Sequence, residues 1–127
     1  MLPYSSTLAD HFHSPRNAGE MDSPDAVGRA SLDGRAPYVT IFLAVESGVV
    51  TQAMFQTFGC GYSIAACSAL TVIVQAMTLQ ECLTIREHDL VSALDGMPPH
   101  KTFCAQLAID ALQDALTKLA TSGSCPT

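Results

Sequence analysis

The stretch Val49-Val50-Thr51-Gln52-Ala53-Met54-Phe55-Gln56-Thr57-Phe58-Gly59-Cys60-Gly61-Tyr62 decides the fold. Val49 to Phe58 is rich in β-branched and aromatic side chains and reads as a strand. From Tyr62 to Met77 the chain carries Ile64, Ala65, Ala66, Ala69, Leu70, Val72, Ile73, Val74 and Ala76, a helix apolar nearly all round. Such a helix is expected to be buried on most sides or to meet a second chain. Strand gives way to helix at a thiol set between two glycines. Glycine permits positive φ and lets another atom approach closely. A helix start favours an anion, and so favours thiolate over thiol. Cys60 is therefore a candidate metal ligand or nucleophile; the alternative is a buried cysteine in a tight turn.

Upstream, Glu46-Ser47-Gly48 reads as a hairpin turn, and Tyr38 to Val45 as a strand with Val39, Ile41, Leu43 and Val45 on one face. Val27 to Leu32 is a weaker strand. Ser5 or Ser6 caps a short helix through about His13, which Ser14-Pro15-Arg16-Asn17-Ala18-Gly19 ends. Downstream, a short helix runs from Thr78 to about Ile85 and another from His88 to Leu94. Gly96-Met97-Pro98-Pro99 stops the chain. A last helix spans about Phe103 to Ala120, with Ile109, Leu112, Leu116 and Leu119 as its core stripe and Gln106, Asp110, Gln113 and Asp114 toward water. Strands first and helices after predict an α+β fold: a small antiparallel three-stranded sheet with helices packed on it. The 127 residues make one domain, with a loose tail at about 122–127.

Charged residues are 14% of the chain and the net charge is −6. The basic residues Arg16, Arg29, Arg35, Arg86, Lys101 and Lys118 are scattered rather than gathered into a stripe, which sets nucleic acid aside. A surface this poor in charge points to partial cover by a partner. No apolar run is long enough to span a bilayer, because Gln75, Gln80 and Glu81 interrupt the longest. The start lacks the pattern of a signal peptide, so a cytoplasmic setting with reduced thiols is expected. The five cysteines contain no CxxC pair, which removes zinc-ribbon and thioredoxin-like readings.

Cys104 sits in the first turn of the last helix, and Lys101 is placed to lower its pKa. Cys67 lies seven residues beyond Cys60, a rise of roughly 10 Å on a helix, and its small apolar neighbours suggest core. Cys82 reads as packing and Cys125 as a bystander. His100 is a candidate substitute ligand or an exposed loop histidine. His11, His13 and His88 read as surface residues. No general base pairs with Cys60, so no enzymatic turnover is expected.

Taken in order, these segments resemble one family. Tyr4-Ser5, Asp10-His11-Phe12 and Ser14-Pro15-Arg16-Asn17-Ala18-Gly19 resemble the DHY-x-NPRN-x-G signature of NifU/IscU-type iron–sulfur cluster scaffolds. Phe55 to Gly61 resembles their F-x-T-[YF]-GCG motif. Met97-Pro98-Pro99-His100-Lys101 resembles the LPPVK segment that Hsp70-type chaperones recognise, and Leu107-Ala108 with Asp110-Ala111 resembles LAEDA. The family builds [2Fe–2S] clusters on three cysteines with nearby Asp and His residues. Residue by residue, the resemblance implies Cys60 and Cys104 as ligands. The P-x-CGD loop is here Gly34-Arg35-Ala36-Pro37-Tyr38-Val39-Thr40, without its cysteine or aspartate, and Phe103 stands where the family has histidine.

The resemblance supports a scaffold-like protein, not an enzyme, with a [2Fe–2S] cluster or an iron or zinc ion shared between two chains through Cys60 and Cys104. His100 and Cys67 are possible extra ligands. A second reading is an interaction module that keeps the fold and docks to a cysteine desulfurase, an Hsp70-type chaperone or a specialised enzyme. A third is a persulfide carrier or zinc protein using Cys60.

Overall fold

In the computed structural model, which describes residues 5–121, the sheet is built first and the helices close over one side of it. Helix α1 covers Ser6–His13, strand β1 Ala26–Leu32, β2 Arg35–Glu46 and β3 Val49–Phe58. Helix α2 covers Gly61–Val74, α3 Leu79–Leu83 and α4 Glu87–Ala93. A 3-10 turn at Pro99–Lys101 leads into α5, Thr102–Thr121. The strands lie in the order β1-β2-β3, all antiparallel. Alternation puts Val39, Ile41 and Leu43 of β2 and Ala53 and Phe55 of β3 into the core, and the unpaired Thr51 of β3 shifts the alternation so that Val50 is buried as well. Val45, near the end of β2, is partly buried and packs against the core. Strand β2 is also longer at its start than expected. Its first residue, Arg35, pairs with Leu32 across the turn, so pairing rather than apolar pattern extends it.

Helix α5 lies across β1 and β2. Its predicted stripe of Ile109, Leu112, Leu116 and Leu119 is buried. Gly28 of β1 permits this approach: a Cβ there would stand 1.9 Å from the Ala111 carbonyl oxygen and 2.4 Å from the Ala115 nitrogen. Asp114, expected in water, is half-buried and accepts the Arg29 amide N–H at 2.9 Å.

Helix α2 is buried from Ala65 to Thr71, as its all-round apolar pattern predicts. Two of its buried hydroxyls hold the N-terminal segment. Ser68 Oγ accepts the Arg16 amide N–H at 2.9 Å and lies 2.7 Å from His11 Nδ1. Asn17 Nδ2 donates to Thr71 Oγ1 at 3.2 Å. His11 is thus half-buried rather than a surface residue, whereas His13 and His88 are exposed. Sequence reading missed this because a histidine in an exposed pattern gives no sign of a serine 57 residues away. Ser5, not Ser6, caps α1, accepting the Leu8 amide N–H at 2.9 Å. The expectations for Tyr4, for Cys125 and for a loose tail lie outside the described residues.

Candidate metal centre

Cys60 is the N-cap of α2, and Cys104 is in the first turn of α5. The two helix starts are neighbours in space, and the sulfurs stand 3.9 Å apart. Both glycines of the Gly-Cys-Gly turn are explained by close approach. A Cβ at Gly59 would lie 2.6 Å from Pro37 Cβ, and one at Gly61 would lie 2.6 Å from the Phe12 ring. Pro37 therefore packs onto one flank of Cys60 and α1 onto the other.

The two thiols have opposite electrostatics. Burial opposes ionisation at Cys60, but the backbone N–H groups of Ser63 and Tyr62 at the helix start, with the Ser63 hydroxyl and the Cys104 thiol, together bring its pKa below the usual thiol value. At Cys104 burial wins, and its pKa is pushed up to about 11. Lys101 acts in the expected downward direction but is the smallest of the influences there, so the expectation of a thiolate-favouring position at Cys104 is corrected. The residue is 0% exposed, which a helix-start position in the sequence does not reveal. Ser63 Oγ donates to Cys104 Sγ at 3.5 Å and lies 3.9 Å from Cys60 Sγ, so it spans the pair. Sequence reading passed over Ser63. Its signal is a polar residue at the third position after a helix-capping cysteine.

The remaining candidates separate. Cys67 is fully buried behind Cys104, and burial drives its pKa strongly upward. Cys82 is buried as expected, its thiol pushed up to about 11 by burial. His100 is exposed on the 3-10 turn. Among the described residues, no group of three or more His, Cys, Asp or Glu side chains gathers within reach of one ion. His100 and Cys67 therefore do not join Cys60 and Cys104 in one ligand set. Lys101 Nζ lies 5.6 Å from the centroid of the Tyr62 ring, beside the pair. Among the described residues, no helix is long and apolar enough to cross a membrane.

Residues 3–125 match the NifU-like N terminal domain. The chain belongs to that family. Among NifU-like relatives, the "iron-sulfur cluster assembly scaffold protein IscU 1" of Archaeoglobus fulgidus is 36% identical over 113 residues, covering 89% of this chain and 74% of the relative. The protein named "iron-sulfur cluster assembly scaffold protein IscU" of Azotobacter vinelandii is 34% identical, with 91% and 92% covered. The crystal structure of a NifU-like protein (N-terminal) from Brucella abortus superposes with a TM-score of 0.77 at 18% identity, covering 94% of this chain and 95% of that one. The NifU-like fold also locates the altered positions. Pro37, in the segment that resembles the family's P-x-CGD loop, packs on Gly59, so the replaced loop borders the thiol pair. Phe103, at the family's histidine position, packs against the core.

Proposed function

We propose that this chain is an iron–sulfur cluster scaffold whose cargo is held by Cys60 and Cys104, and that it performs no turnover of its own. The separation of the two sulfurs carries this reading. Two thiolates bound tetrahedrally to one ion with metal–sulfur bonds of about 2.3 Å stand about 3.8 Å apart. The observed separation is 3.9 Å. Membership of a family whose relatives are named as scaffolds supports the same conclusion. The pair supplies two of the four protein ligands that a [2Fe–2S] cluster takes. The other two come from outside this chain's own site, since no third His, Cys, Asp or Glu side chain joins the pair among the described residues.

The burial of Cys104 shapes how cargo enters. Metal must displace the Ser63 hydroxyl contact and remove a proton from a thiol raised to about 11. Cys60, more exposed and more acidic, engages first. Around this site, Met97 to Lys101 offers the segment by which an Hsp70-type chaperone would dock, and a cysteine desulfurase would supply sulfur. The setting is the cytoplasm. His100 and Pro99 of that segment are exposed, while Met97 packs against the core.

The test is a cadmium titration followed by thiolate-to-metal absorbance, with Cys60→Ser and Cys104→Ser as controls. One cadmium per chain, lost in either variant, is the expected result. Absorbance unchanged in the double variant overturns the assignment. A second reading, a docking module without cargo, is favoured by one observation, the complete burial of Cys104. Freshly isolated protein without stoichiometric metal, together with no cadmium uptake, selects it.

A further inference from the structure

Ser63 lies against both sulfurs, and its surroundings are unusual for a buried hydroxyl. Cys60 is the N-cap of α2 and Ser63 is the third residue of the helix. Side chains at those two positions face each other across the first turn. One helix start therefore aims Cys60 and Ser63 at the same point, and the first turn of α5 adds Cys104. Ser63 is 0% exposed. Its neighbours in α2 satisfy their hydroxyls with nitrogen and oxygen: Ser68 Oγ accepts the Arg16 amide N–H, and Thr71 Oγ1 donates to the Ser68 carbonyl at 2.8 Å. The Ser63 hydroxyl instead meets sulfur, Cys104 Sγ at 3.5 Å and Cys60 Sγ at 3.9 Å. Thiol sulfur is a weak partner in either role. A buried oxygen is thus held with its lone pairs turned toward two metal-ligand candidates rather than toward a strong donor.

The three atoms mark a triangle with edges of 3.9, 3.5 and 3.9 Å. A thiolate and an oxygen bound tetrahedrally to one zinc-sized ion, at about 2.3 and 2.1 Å, stand about 3.6 Å apart, and two thiolates about 3.8 Å apart. A point about 2.3 Å from all three atoms lies about 0.7 Å off their plane, where an ideal tetrahedron requires about 0.8 Å. We propose that Ser63 is the third donor of a mononuclear site with Cys60 and Cys104, a two-sulfur, one-oxygen set that takes a single divalent ion and leaves the fourth position open. The proposal deepens the scaffold reading above and rests on its thiol pair. On loading, the Ser63 hydroxyl lets go of Cys104 Sγ and turns a lone pair to the ion. Two metal–thiolate bonds and one metal–oxygen bond form, the two thiol protons pass to solvent, the hydroxyl keeps its own, and no electron moves. A neutral oxygen is the weakest of the three donors for an ion that prefers thiolate. An iron that carries two thiolates and two bridging sulfides has its four positions filled. Ser63 therefore holds the ion while it is alone and yields its place when sulfide arrives.

The experiment titrates the reduced, metal-free full chain with cobalt(II), whose charge-transfer absorbance grows with each bound thiolate, and with zinc against a chromophoric chelator. The variants are Ser63→Ala and Ser63→Cys, with Cys60→Ser as the control for the thiol pair and a metal-free thermal melt as the control for the fold. The wild type is expected to show two thiolates per cobalt. Ser63→Ala is expected to keep that absorbance and to lose about 10-fold or more in zinc affinity, at least the cost of changes just outside a ligand set. Ser63→Cys is expected to bind zinc more tightly than the wild type and to raise the cobalt charge-transfer absorbance about 1.5-fold, because a third thiolate joins the ion. A hydroxyl that only packs on the sulfurs or hydrogen-bonds to them makes Ser63→Cys no tighter than the wild type and leaves it with two thiolates, and that result overturns the third donor. Zinc affinity of Ser63→Ala within about twofold of the wild type overturns it too. Either variant decides by itself should the other not fold. In both refuting cases, zinc binding that is lost in Cys60→Ser leaves the scaffold reading standing. A wild-type chain that takes neither cobalt nor zinc overturns both.

Discussion

Replacing Gly59 with alanine tests whether packing against Pro37 sets the distance between the two sulfurs. A Cβ at residue 59 would meet Pro37 Cβ at 2.6 Å, Pro37 Cα at 3.2 Å and Ser63 Oγ at 3.3 Å. Carbon atoms in contact keep about 3.5–4.0 Å, so the two segments must part by about 1 Å. Strand β2 cannot yield, because β1 and β3 hold it on both sides. The turn of residues 59–61 gives way instead, and it carries Cys60 with it. The sulfur separation then grows from 3.9 Å toward about 4.9 Å. With metal–sulfur bonds of about 2.3 Å, one ion reaches two sulfurs only up to about 4.6 Å, and then only in a straight line. Zinc affinity is expected to fall about 10–100-fold, or about 1.4–2.7 kcal/mol, as for other changes just outside a ligand set. The assay is a zinc titration against a competing chromophoric chelator. Because Gly59 itself is exposed and the buried core is untouched, the thermal midpoint is expected to shift by no more than a few degrees. An affinity within about twofold of the wild type refutes the argument that Pro37 sets the pair.

Two further outcomes follow from the packing. Gly28→Ala would place a methyl group 1.9 Å from the Ala111 carbonyl oxygen, forcing α5 off β1. A loss of about 3 kcal/mol, a fall of about 10 °C in the melting midpoint of a chain this size, is expected by circular dichroism, and a midpoint within about 2 °C of wild type contradicts it. His11 titrates with the opposite sign to a salt-bridged histidine. Burial and then the Arg16 charge hold its folded pKa below 6.5, with Asp10 opposing. The unfolded chain therefore binds the proton more readily, so this stability is present above the unfolded pKa and lost as pH falls through the folded one. Thermal melts at pH 7 and 5 should show a larger acid-induced loss for wild type than for His11→Gln, and equal losses would dismiss the role of His11.

Much of the fold was legible in the chain itself. Alternation marked β2 and β3, with β3 falling on Val49–Phe58 as read. The 3.6-residue period marked the buried stripe of α5, and proline and glycine marked the breaks. The strand-to-helix change around Cys60 was visible for the same reason: periodicity and backbone propensity are local properties. The order of motifs also carried the resemblance to a family across most of the chain, which the match over residues 3–125 bears out.

What local pattern did not carry is distance and burial between segments far apart in the chain. Cys60 and Cys104 are 44 residues apart, and only the crossing of α2 and α5 brings their sulfurs together. Both sit at helix starts, so the sequence presents them as alike. Burial separates them, leaving one thiol acidified and the other raised to about 11. The hold of Ser68 on His11 belongs to the same class. The sequence by itself determined which segments form strands and helices and which thiols begin them. Tertiary packing alone decided which groups lose water and which meet, because desolvation and contact depend on the neighbours that other elements bring.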